Sequence, residues 1–206
     1  MRRFIVIFFL FPASMAFAQL SFGVKAGMNV NNIHLSTPAG VPYYSASGDG
    51  VDPNLGFHIG VFTRINFSKK FAFIPELQYI KKGFTLTDGD IRINLNYLEL
   101  PLMFSYSPIK WIGIELGPGV AYQLAAKAHG PSSSADRSDI FDKKVDLSLN
   151  AGVRIYASKK LSVGARYSYG LLTTDEIFYT EDGMHGETYG EYHRNVLLSV
   201  YYNIFN

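Results

Sequence analysis

Glu76 and Glu115 are the residues of this 206-residue sequence whose type most readily suggests chemistry, since paired carboxylates can divide acid and base roles in a hydrolysis. They do not stand alone. Taking each as part of an alternating segment, Lys25, Arg64, Arg154 and Arg166 share an inner face with Glu76, Glu115, Asp146 and, beyond a proposed bulge, Glu99. Four charges of each sign in an enclosed interior read as mutual neutralisation, because an unpaired ion there is strongly destabilising. The expectation is an interlocked network that plugs a lumen, and the competing expectation is a selective pore lined by the same charges.

Other reactive side chains give weaker signals. His34, His129, His185 and His193 are expected in long loops and His58 near the upper end of a strand; no spacing among them matches a metal-ligand pattern. A rim enzyme would need a histidine beside a serine or carboxylate. Ser45, Ser47 and Ser132 to Ser134 are the available serines, and nothing selects one, so no catalytic, cofactor or metal residue is assigned. The last connection is acidic, with Asp175, Glu176, Glu181, Asp182, Glu187 and Glu191 among Phe178, Tyr179, Tyr189 and Tyr192. It reads as a solvated tip, with a divalent cation or a partner protein as the alternative. Lys81, Lys82 and Arg92, beside a short connection, are placed where lipopolysaccharide phosphates would lie.

The elements that must position these groups show period two. Phe22, Val24, Ala26, Met28 and Val30 alternate with Ser21, Gly23, Lys25, Gly27 and Asn29. Similar alternation returns in segments near 57–67, 71–79, 112–124, 145–155 and 161–171, each a strand with one apolar face. The fourth segment breaks phase, with Ile91, Ile93 and Leu95 odd but Leu98, Leu100 and Leu102 even, and a bulge near Asn96 and Tyr97 would restore one apolar face. In the eighth, Val196, Leu198, Val200, Tyr202 and Ile204 are taken as outward. Connections at Ser68 to Lys70, Ser107 to Lys110 and Ala157 to Lys160 are tight, whereas those near 32–55, 126–144 and 172–194 are long. The fold expected is all-β: an eight-stranded antiparallel up-and-down transmembrane β-barrel with short periplasmic turns and long extracellular loops.

Volume decides which face is inside. Eight strands enclose only enough space for their own side chains, so the bulky apolar face does not fit there, whereas the glycine- and serine-rich face does. An outward belt of Phe, Tyr, Leu and Ile is favourable against lipid and not against water.

Composition agrees. The chain is 48% hydrophobic and only 17% charged, against about a quarter charged in an ordinary soluble domain. The absence of cysteine excludes disulfides, thiol catalysis and a lipoprotein anchor. Met1-Arg2-Arg3, the apolar run Phe4 to Phe11 and Ala16-Phe17-Ala18 have the form of a signal peptide, giving residues 1–18 as signal and 19–206 as the barrel. Loss of Arg2 and Arg3 leaves 17 Lys and Arg against 17 Asp and Glu, a neutral chain with no affinity for nucleic acid.

Phe73-Ile74-Pro75-Glu76-Leu77-Gln78-Tyr79 with Lys82-Gly83, then Tyr97-Leu98-Glu99-Leu100-Pro101-Leu102, Gly117-Pro118-Gly119 and Arg166-Tyr167-Ser168-Tyr169-Gly170-Leu171, carry a resemblance. In these pieces the chain resembles the PorT-like outer-membrane β-barrel proteins of Bacteroidetes. The resemblance implies a barrel in a Gram-negative outer membrane. For some members it implies a link to type IX secretion and gliding, as an accessory part of an envelope complex. It assigns no activity, and Glu76, Glu99 and Arg166 are read as lumen charges.

Overall fold

The computed structural model describes residues 19–36, 51–86, 91–129, 134–136, 144–172, 176–181 and 185–205. Within them lie β1 (Gln19–Ser36), β2 (Val51–Asn66), β3 (Phe71–Leu86), β4 (Ile91–Ile109), β5 (Ile112–His129), β6 (Ser134–Asp136), β7 (Val145–Tyr156), β8 (Leu161–Gly170), β9 (Glu176–Glu181) and β10 (His185–Phe205). Eight of these pair antiparallel in chain order, β1-β2-β3-β4-β5-β7-β8-β10, and β10 returns to β1 over Phe22 to Ser36. The sheet is therefore a closed eight-stranded barrel with no free edge, the condition for crossing lipid with strands. The small β6 and β9 pair with the upper ends of β5 and β10. The last connection is thus partly a β9–β10 hairpin and not one continuous loop.

Side-chain alternation sets the two faces. Leu20, Met28, Phe57, Ile59, Leu116, Leu149 and Leu198 are among the exposed apolar residues, and they form the outer belt. Val196, Leu198, Val200, Tyr202 and Ile204 of β10 are also exposed, while Leu197, Ser199 and Tyr201 are buried. Of the eight wall strands all but β8 exceed the roughly 9 to 11 residues needed to span a membrane, so part of the wall projects beyond the hydrocarbon at the long-loop end.

The phase break has a different origin from the one expected. Pairing between β4 and β5 does shift between Asn96 and Tyr97, but β4 stays in register with β3 from Leu86↔Ile91 to Gln78↔Glu99. The extra residue is on β5, where Leu124 and Ala125 together face Asn96. Leu95 consequently points inward beside Ala126, and the outer face of β4 is not continuous in Ile and Leu. Ser107 to Ile109 also belong to β4, which leaves only Lys110 and Trp111 in that turn.

Prolines thin the ladder on one side of the wall. Pro75, Pro101 and Pro118 sit in three consecutive strands and have no N–H to donate. Pairing lapses between Pro75 and Gln78 toward β4, and between Pro101 and Phe104 toward β5.

Candidate functional site in the barrel lumen

The buried charged residues, among those described, are Lys25, Glu76, Lys82, Glu99, Glu115, Asp146, Arg154 and Arg166. Four are positive and four negative, so the lumen is neutral. Their height is set by register: Glu76 of β3 lies opposite Phe62 of β2, which in turn lies opposite Gly23 of β1. Gly23 is required there, since a Cβ would meet the Tyr202 carbonyl at 2.3 Å and the Phe62 ring at 2.6 Å.

Glu76 is the hub. Lys25 Nζ donates to its Oε2 at 2.7 Å, and Arg166 donates through Nη1 and Nη2 to both oxygens at 2.8 Å, a bidentate fork. Arg154 Nη2 reaches Glu76 Oε1 and Glu115 Oε2, both at 3.2 Å, and its Nε lies 2.7 Å from Glu115 Oε1. Arg166 Nη2 also reaches Glu115 Oε2 at 3.3 Å. Three cations thus share two carboxylates. The excess positive charge is met by aromatic faces: the Arg154 guanidinium stacks 3.6 Å from the Tyr201 ring centroid, and Lys25 Nζ is 5.3 Å from the same ring. Beside and below the cluster Phe62, Ala72, Ile74, Met103 and Tyr201 form an apolar layer in which Ile74 and Met103 have no exposed surface. Ions and apolar side chains together fill the lower lumen, where Ser105 Oγ and Ser107 Oγ are buried without a protein partner.

The upper lumen is built more loosely. Lys82 Nζ meets Asp146 Oδ2 at 3.5 Å and lies 4.8 Å above the Tyr97 ring, beside the apolar group Ile80, Leu95, Tyr97, Ala121, Ala126 and Leu197. Glu99 accepts from Gln78 Nε2 at 2.9 Å and from Ser148 Oγ at 3.5 Å, with no cation partner among the described residues. Asn29 Oδ1, Asp146 Oδ1, His193 Nε2 and Asn195 Oδ1 are buried without a protein partner. Water is the natural partner for such atoms.

Several expected positions change. Lys82 is 2% exposed and ion-paired inside the barrel, so it cannot reach lipopolysaccharide. The cause is strand length: β3 runs to Leu86, and the inward series Ala72, Ile74, Glu76, Gln78, Ile80 continues to Lys82. Lys81, next in line, is half-buried, and the side chain of Arg92 lies outside the described residues. His193 is not in a loop but buried in β10, its ring edge-on to Tyr97 at 6.2 Å. Arg64 shares the inner parity but stands at the lower mouth, half-buried, stacked on Tyr156 and bonded to the Tyr156 hydroxyl and to Asn66 Oδ1. It is no part of the ion cluster.

His58 Nε2 and Ser199 Oγ are 2.7 Å apart, the one Ser–His contact among the described residues. Gly27 makes room for that ring, as a Cβ there would stand 2.7 Å from it. His58 Nδ1 has no partner, so no carboxylate orients the imidazole as a nucleophile-activating base requires. Among the described residues no group of three or more His, Asp or Glu could hold a metal ion. Residues 1–18, Ser45, Ser47, Ser132, Ser133, Asp175 and Asp182 lie outside the described residues, as do the side chains of His34, Ser134 and His185.

Comparison with known proteins agrees with this architecture. No curated protein matches the sequence. Neisserial surface protein A is a structural neighbour with a TM-score of 0.54 at 12% identity, covering 90% of this chain and 99% of its own. Ail, the attachment invasion locus protein of Yersinia pestis, solved in complex with the heparin analogue sucrose octasulfate, gives 0.49 at 15% identity over 90% and 99%. A family model described as the outer membrane protein beta-barrel domain matches residues 17–176. The chain belongs to that outer membrane protein β-barrel family, and its closed eight-stranded wall is a membrane-spanning barrel of the outer membrane.

Proposed function

We propose that this protein is a non-enzymatic outer-membrane barrel with an ion-paired plug, acting as a structural or interaction protein and as an accessory subunit of an envelope or secretion complex. The observation that supports it is the lower lumen. Glu76, Glu115, Lys25, Arg154 and Arg166 fill the lower lumen with ion pairs beside packed apolar side chains. A barrel that neither conducts nor catalyses has its outer wall and its rims left for recognition. The resemblance to PorT-like proteins supports a place beside secretion or gliding components. Residues 1–18 serve in this reading as the export signal, and Lys81 with Arg92 as local contacts to lipopolysaccharide phosphate.

Planar-bilayer recording of the purified barrel tests the plug: no steady openings are expected, and stable openings of nanosiemens size would refute it. Gentle solubilisation of native membranes followed by pull-down tests the assembly, with a stoichiometric companion as the expected result. The second reading, a narrow porin, is favoured by the unpartnered buried polar atoms of the upper lumen, which imply water at least that far.

A further inference from the structure

The acidic residues outside the lumen are confined to one end, whereas basic residues occur at both. At the short-turn end stand Arg64, Lys69, Lys70, Lys110, Lys159 and Lys160, and the segments forming that rim (19–23, 62–73, 104–113, 154–163 and 201–205) contain no Asp or Glu. Of the 17 acidic residues, Glu76, Glu99, Glu115 and Asp146 are in the lumen, and in the sequence the other 13 fall in or beside the connections of the opposite end, together with seven basic residues. The molecule is a dipole along the barrel axis.

The lysines are held on a rigid rim. Ser68 and Ser158 begin two turns of the same Ser-Lys-Lys sequence and make the same bonds. Ser68 Oγ accepts from the N–H of Lys70 and of Phe71 at 3.2 and 3.1 Å, and Ser158 Oγ from those of Lys160 and Leu161 at 3.2 and 3.0 Å. Each turn is also tied sideways to its neighbour, Lys70 O accepting from Ser107 N at 2.7 Å and Lys160 O from Asn203 N at 2.8 Å. Exposed apolar residues adjoin every turn: Phe67 and Phe71, Ile109 and Trp111, and Leu161. The ammonium groups therefore sit at the margin of the hydrocarbon belt, where lipid phosphates lie, and the turns are too short to carry them clear of it into the periplasm.

We propose that the short-turn rim binds the headgroups of anionic phospholipids in the inner leaflet, with Lys69, Lys70, Lys110 and Lys160 on the phosphates and Phe71 and Trp111 against the first acyl carbons. Charge complementarity and this depth both favour a lipid over a soluble acidic protein, which could reach the same amines only by pressing into the headgroup layer. The opposite end carries 13 acidic against seven basic residues, so its net charge gives anions no comparable overall attraction.

The test uses the whole barrel in mixed micelles of equal palmitoyl-oleoyl phosphatidylglycerol and phosphatidylethanolamine, with retained lipid counted by native mass spectrometry. The wild type is expected to keep phosphatidylglycerol over phosphatidylethanolamine by on the order of tenfold, falling in 0.5 M salt as surface charge is screened (about 3 to 10 Å Debye length between 1 and 0.1 M). Combined K69Q, K70Q, K110Q and K160Q substitutions are expected to bring the ratio to parity, the corresponding arginine substitutions to preserve it, and K127Q with K144Q at the other rim to leave it unchanged. Heat-modifiable electrophoretic mobility verifies that each variant is a folded barrel; if the glutamine set does not fold, K110Q alone and K69Q with K70Q are each expected to lower the ratio. Equal retention of the two lipids by the wild type, or an undiminished preference in the folded glutamine variants, overturns the proposal. So does a glutamine variant that keeps its lipid preference but loses capture of an acidic periplasmic protein.

Discussion

The lower and upper halves of the lumen use the same side-chain types to opposite effect. Below, five charged groups make contacts of 2.7 to 3.3 Å in which each carboxylate serves at least two cations. Above, Lys82 and Asp146 meet once at 3.5 Å and Glu99 has only neutral partners, while buried polar atoms without a protein partner occur in both halves, Ser105 Oγ and Ser107 Oγ below and Asp146 Oδ1 and Asn195 Oδ1 above. A charge buried in a barrel needs partners at its own height. The difference locates the densest ion pairing at the Glu76 layer, while the lumen above it is filled by the buried apolar group around Tyr97 and a single ion pair.

The largest test of that contrast is Glu76→Leu, which leaves Lys25 without a carboxylate and Arg154 and Arg166 to share Glu115 alone. Its loss of stability should exceed the roughly 3 to 5 kcal/mol typical of breaking one buried pair, with failure to fold in bilayers as the extreme. Arg166→Met leaves Glu76 two other cations yet removes its bidentate partner. A loss of about 3 to 5 kcal/mol in urea unfolding from lipid vesicles is expected, and an unchanged midpoint would show that the lower lumen is as wet as the upper. Leu149→Arg probes the wall between the two, since Leu149 faces outward, and should cost about 2 to 4 kcal/mol near the membrane midplane. Lys82→Met should cost least, about 1.5 to 3 kcal/mol, because one long contact is lost and water can reach Asp146 in its place. A Lys82→Met effect equal to that of Arg166→Met would erase the distinction between the halves.

Alternation makes the face of a strand residue legible in the sequence, and with it the closed wall and the outward β10 residues. Height is another matter. Arg64 and Arg154 share an inner parity, yet one stacks on Tyr156 at the mouth and the other on Tyr201 beside Glu76. Their separation depends on the stagger of neighbouring strands, which no single segment encodes. Strand ends are illegible for a related reason. Lys82-Gly83 has the composition of a turn, but pairing with Asn94 and Leu95 carries β3 past it, and the inward parity that begins at Ala72 was the available signal for Lys82. His193 was hidden in the same way, by a strand that rises well beyond the membrane. Leu95 misled because the inserted residue is on β5, and a bulge is visible only from the pair of strands it offsets.

Most of the eight seams of the barrel join neighbours in the chain, two of them across the Ser-capped Lys-Lys turns, so they can zip as local hairpins with little loop entropy to overcome. The β1–β10 seam is different, since Val24 and Tyr202 must find each other across nearly the entire chain. Its formation is expected to be the late event of folding. In pulse-labelled hydrogen exchange the amides of β2–β3 and β7–β8 should gain protection first and those shared by β1 and β10 last.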